Sequence, residues 1–154
     1  MSARDYAENS AELPALVGRK CFVTLATNSV KLHIDRDQKG GTFLWIDPPW
    51  QFGRGEELIE SSASCPHYEE ERYEERFREW GRHFKPVRES VIEKIDASPD
   101  GGLRIGLADG FTFLIPSDFI PEDDPWWYDH WYVRKEANQP VQTGRQVGLS
   151  DLNR

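Results

Sequence analysis

Cysteine is scarce in this chain: Cys21 and Cys65 are the only two among 154 residues. So small and widely spaced a set makes no disulfide framework, and no Cys-x-x-Cys pair is present for zinc or thiol exchange. Reduced thiols and a cytoplasmic location are expected. No run approaches the roughly 20 apolar residues of a membrane span, and the first residues lack the basic-then-apolar order of a secretion signal. Basic residues are also the minority, 19 Lys and Arg against 27 Asp and Glu, for a net charge of −8. A nucleic-acid surface needs cations to displace phosphate counterions, and none is clustered here. Anionic membranes repel such a chain. A basic protein partner suits it, because complementary charge speeds encounter and excludes wrong partners.

Catalytic motifs are missing as well. There is no Gly-x-Ser-x-Gly elbow, no Gly-x-x-x-x-Gly-Lys loop and no His-Glu-x-x-His pair. Gly53-x-Gly55 lacks the helix that completes a nucleotide fingerprint. Cys65-Pro66-His67 and His83 flank one segment, but no second close pair completes a tetrahedral metal set. No catalytic residue, metal or cofactor is assigned, and a binding role is expected rather than a chemical one.

Large aromatic side chains compensate for a modest apolar share: six Trp, eight Phe and five Tyr. Two stretches repeat one pattern. Lys20–Leu25 is apolar and β-branched; Val30, Leu32 and Ile34 alternate with Lys31, His33 and Asp35; a turn at 37–41 precedes Thr42–Ile46 and the stop Asp47-Pro48-Pro49. The second stretch runs Ser90–Ile95, a turn at 98–102, Leu103–Leu107, the hairpin signal Asp109-Gly110, and Phe111–Ile115. Leu32-x-Ile34 with Thr42-Phe43-Leu44 aligns with Leu103-x-Ile105 and Thr112-Phe113-Leu114. Each stretch then reaches a tryptophan-bearing strand, Trp50-Gln51-Phe52 or Trp131-Tyr132-Val133.

Between them, Tyr68–Phe84 carries Tyr73, Phe77, Trp80 and Phe84 at spacings of four, three and four, the stripe of an amphipathic helix. Ser62 or Ser64 is a candidate cap. Glu69, Glu70 and Glu71 at its start and Arg78 and Arg82 at its end complement the helix dipole. The expected fold is therefore α+β, mainly β: two similar antiparallel β-meander halves sharing one core, joined by an amphipathic helix. The expected organisation is a flexible 1–12, a single domain 13–136 and a polar tail 137–154. Within the domain come a half-repeat 17–52, a helical connector 56–86 and a half-repeat 89–134.

The most unusual stretch is Pro121–Val133. Read as a strand from Trp126, it sets Trp127, Asp129 and Trp131 on one face and Trp126, Tyr128 and His130 on the other, beside Asp118, Glu122, Asp123 and Asp124. Trp and Tyr bury much area at little entropy cost and dominate binding hot spots. The expected partner-binding residues are Asp118, Glu122, Asp123, Asp124, Trp126, Trp127, Tyr128 and Asp129. Glu70, Glu71 and Glu74 on the helix form a second patch.

The order Val17-Gly18, Leu44-Trp45-Ile46-Asp47-Pro48-Pro49-Trp50, a polar middle and a second meander ending in Trp131-Tyr132-Val133 resembles small bacterial two-half β-rich proteins of unknown function. Some of these are assigned as immunity proteins of polymorphic toxin systems. The resemblance covers about 15–134 and carries over no catalytic residue. It implies stoichiometric neutralisation of a cognate toxin domain, basic and nuclease-like, by an acidic surface. A structural or adaptor subunit that pairs through the aromatic strand, and a small-molecule enzyme or sensor with a pocket between the halves, are the competing classes.

Overall fold

Alternation of apolar and polar side chains builds the first meander. The computed structural model describes residues 10–35, 41–98, 101–116, 131–135 and 147–148. In it β1 (Lys20–Ala26), β2 (Ser29–Ile34) and β3 (Thr42–Ile46) pair antiparallel in sequence order. Val30, Leu32 and Ile34 of β2 all enter the core, as their period of two requires. The second meander is β6 (Glu89–Ala97), β7 (Leu103–Leu107) and β8 (Phe111–Ile115), again antiparallel in order. Between β7 and β8 the chain turns with both Asp109 (φ 64°) and Gly110 (φ 83°) left-handed. Asp and Gly are the residues that tolerate this region.

The fourth strands do not stay beside their own meanders. β4 (Gln51–Arg54) pairs with β8, and β9 (Trp131–Lys135) pairs with β3, while β1 and β6 abut in the middle. The result is one antiparallel path, β5-β4-β8-β7-β6-β1-β2-β3-β9, with β5 spanning Glu57–Ser61. The tail from 137, expected to be weakly structured, supplies β10 (Val147–Gly148), which pairs with Thr24 and Leu25 of β1.

The core is largely aromatic. Phe52 packs on Phe84 and Phe113 with centroids 4.9 and 4.8 Å apart, and Trp50 lies 5.7 Å from Phe84. A fully buried ring of this kind removes roughly 150–250 Å² from water. At about 25 cal/mol per Å² that is roughly 4–6 kcal/mol of transfer free energy. The helix needs this. α1 spans only Tyr73–Gly81, too short to persist alone, and is held by burying Phe77 and Trp80.

The expected helical connector changes in four respects. The helix does not begin at Tyr68: Arg72 is left-handed (φ 59°), and Tyr68 is exposed. Nor does it reach Phe84 as an α-helix, because Arg82–Val87 tightens into a 3₁₀ segment containing Pro86, which lacks a backbone donor. The stripe itself survives, with Phe77, Trp80 and Phe84 buried and Tyr73 half-buried. Within 56–86, Glu57–Ser61 is a strand, and Ser61 and Ser64 form a capping box on the 3₁₀ turn Ser62–Ser64 rather than capping α1.

The letter-for-letter match of Thr42-Phe43-Leu44 to Thr112-Phe113-Leu114 slips by one residue. Phe113 joins the core, whereas Leu44, not Phe43, does so in β3. Phe43 faces the opposite side with Lys31, whose Nζ sits 4.3 Å from the ring centroid. That side of β1 and β2 is covered rather than solvated: Phe22, Thr24 and Lys31 are all buried, and His33 is half-buried with Nε2 3.0 Å from the Thr24 hydroxyl. No helix among the described residues is long and apolar enough to cross a membrane.

Candidate protein-binding surface

The stretch from β5 to the end of the 3₁₀ segment Arg82–Val87 carries two layers, one fixed and one exposed. The fixed layer centres on Glu60. Its Oε2 accepts hydrogen bonds from the Ser64 hydroxyl and from the Trp80 indole N–H at 3.1 Å. Its Oε1 lies 2.5 Å from His83 Nδ1. A carboxylate can only accept, so the ring donates through Nδ1. These bonds tie the edge strand β5 to α1 and to the turn behind it. The Cys65 thiol beside them is pushed up to about 11 by burial, with Glu70 and Glu60 adding to the effect. It is protonated and unreactive near neutrality.

The exposed layer is acidic. Glu69, Glu70 and Glu71 lie in the turn before α1, and Glu74, Glu75 and Glu79 on its outer face, all exposed. Glu70 pairs with Arg76 at 3.2 Å and Arg72 with Glu75 at 2.6 Å. Glu71 and Glu74 have no ion-pair partner among the described residues. Exposed pairs are worth only about 0.2–1 kcal/mol, so Glu70 can trade Arg76 for a partner's cation at little cost. Tyr68 directly precedes these carboxylates in the turn, 71% exposed, with its ring tilted 30° to that of His67 at a centroid distance of 4.5 Å.

Glu70 and Glu71 thus lie in the turn before α1 and Glu74 in its first turn, all three exposed and only Glu74 on the helix. Asp118, Glu122, Asp123, Asp124, Trp126, Trp127, Tyr128 and Asp129 lie outside the described residues. The strand expected from Trp126 is described only from Trp131. Among the described residues no group of three or more His, Cys, Asp or Glu side chains is placed to hold a metal. The Glu60 cluster was not legible as a unit: Glu60, Ser64, Trp80 and His83 are dispersed in sequence, and no local spacing announces that β5 pairs beside the helix. Exposed Tyr68 was hidden by its apparent place at the start of the helical segment. Comparison with family models, with curated proteins and with solved structures finds no match.

Proposed function

We propose that this chain is a non-catalytic protein-binding module that docks a basic protein domain through the acidic face around Glu70, Glu71 and Glu74, as an immunity protein neutralises its toxin. The observation that carries the reading is the exposed Tyr68 ring in the same turn as Glu69, Glu70 and Glu71, leading into a helix whose Phe77 and Trp80 are anchored in the core. An aromatic anchor supplies buried area at the centre of a contact, and the surrounding charges supply steering and register. A net charge of −8 extends the same field over the whole molecule.

The test is co-expression with a basic toxin domain from an adjacent reading frame. This chain restores growth and forms a stable complex with the toxin. Glu71→Gln with Glu74→Gln slows association and flattens its salt dependence, and Tyr68→Ala raises dissociation. A complex whose salt response is untouched by the double substitution sinks this placement of the interface.

The fold reading goes with this proposal: the two meanders are copies of one unit that have exchanged their last strands. Its support is the mirror order about β6 and β1, with β4 beside β8 and β9 beside β3. A second support is side-chain chemistry. Trp50 donates to Asn28 in the β1–β2 turn at 2.7 Å, and Trp131 donates to Gly101 in the β6–β7 turn at 3.0 Å. The same bond recurs at the same place in each half.

A further inference from the structure

We propose that His83 is a phosphoryl-accepting histidine, with Nε2 as the nucleophile and a small anionic phosphoryl donor as its co-substrate. Three observations converge. First, the ring is held in one tautomer: Nδ1 donates to Glu60 Oε1 at 2.5 Å, which leaves the lone pair on Nε2. Glu60 is itself fixed, its side chain 14% exposed and its second oxygen bonded by Ser64 and Trp80. A carboxylate that orients an imidazole and stabilises its cation is the arrangement that nucleophilic and general-base histidines use.

Second, the reactive edge is accessible, because the His83 side chain is 54% exposed. Third, exposed cations flank His83 in the chain. His83 sits on the 3₁₀ segment Arg82–Val87, followed directly by Arg88. Three residues per turn bring Arg82 and Lys85 into line on the face next to that of His83. Both are exposed, and neither has an ion-pair partner among the described residues. Exposed side chains of this length can reach toward an anionic electrophile at His83, and their charge suits it.

With phosphoramidate as donor the step balances. The Nε2 lone pair forms the new N–P bond, the P–N bond of the donor breaks, and ammonia leaves with that electron pair. The Nδ1 proton stays in place. The phosphorylated ring becomes an imidazolium, and the carboxylate of Glu60 lies against its positive charge.

The experiment incubates the full chain with phosphoramidate at neutral pH and maps the acid-labile label by mass spectrometry. A parallel arm uses diethyl pyrocarbonate, a neutral imidazole reagent. His67, 59% exposed, is the internal control for access alone. The expected result is His83 labelled severalfold faster than His67, with no label there in His83→Gln. Glu60→Gln slows the reaction. Arg82→Ala with Lys85→Ala slows phosphorylation more than it slows carbethoxylation, and this surface pair keeps the test readable if Glu60→Gln unfolds the protein. Equal labelling of His67 and His83, or phosphorylation of the double variant at the rate of the unaltered chain, overturns the proposal.

Discussion

The indole N–H of Trp50 donates to the carbonyl oxygen of Asn28 across 2.7 Å, fastening the chain as it enters β4 to the β1–β2 turn. Because β4 pairs with β8, this bond links the two meanders. Trp50→Phe keeps a ring against Phe84 and Phe113 but leaves the Asn28 carbonyl without its donor. The expected loss is about 1–3 kcal/mol, the cost of an unsatisfied polar group. Trp131→Phe loses at least as much through Gly101, where the bond is buried, whereas that to Asn28 is part-buried. Urea midpoints should fall in both variants with unchanged slopes; a Trp50→Phe midpoint equal to that of the unaltered chain would show that the bond adds no stability.

Two strand glycines should respond oppositely to alanine. A Cβ at Gly53 would collide with the backbone carbonyl oxygen of Glu57, where the β4–β5 register shifts. Backbone cannot yield as a side chain can, so Gly53→Ala should cost roughly 1–3 kcal/mol. At Gly106 the nearest atom to an added Cβ is Lys94 Cβ at 3.5 Å, an ordinary contact. Gly106→Ala should be neutral or stabilising by up to about 1 kcal/mol, through loss of unfolded-state freedom. Chemical denaturation of the pair decides it, and equal losses would contradict the steric argument.

Strand identity was legible because period-two patterns report burial directly: Leu32, Ile105 and Phe113 all enter the core as their neighbours predict. Register was not. Phe43 and Phe113 look equivalent by letter yet face opposite sides, since a slip of one residue inverts a strand and both faces of the first meander are buried. Pairing was less legible still. Nothing local to Trp50-Gln51-Phe52 says that it joins β8, because that choice is made by long-range burial against Phe84 and Phe113. At the candidate surface, the acidity of Glu70, Glu71 and Glu74 could be read from composition, while the exposure of Tyr68 depended on the left-handed Arg72 that starts the helix late.

Lys31 is a charge inside the covered face, 2% exposed, with its ammonium over the Phe43 ring. The negative face of an aromatic ring favours a cation there. Lys31→Met preserves length and stem packing and should be tolerated far better than Lys31→Glu, which sets an anion against that ring. The expected cost of the charge reversal is about 3 kcal/mol or more, the scale for an uncompensated buried charge. Thermal melts of the two variants check it, and equal melting temperatures would mean that the site does not discriminate charge.

Alkali should destabilise this fold through its two thiols. Burial pushes the Cys21 thiol up to about 12, against a partly offsetting backbone hydrogen bond from Ser90, and the Cys65 thiol stands at about 11. In the unfolded chain both ionise near 9.0. Below that pH both states hold the protons, and this contribution to stability is fully present. Above it the unfolded chain releases them first, the folded state binds more protons, and stability falls as pH rises toward the folded values. Denaturant midpoints should therefore drop between about pH 9 and 12, over and above the effect of other titrating groups. Cys21→Ala removes the more strongly shifted thiol and should flatten that decline, even if its midpoint at neutral pH is lower because a small cavity opens. A variant whose alkaline slope matches that of the unaltered chain would show that Cys21 does not drive the loss.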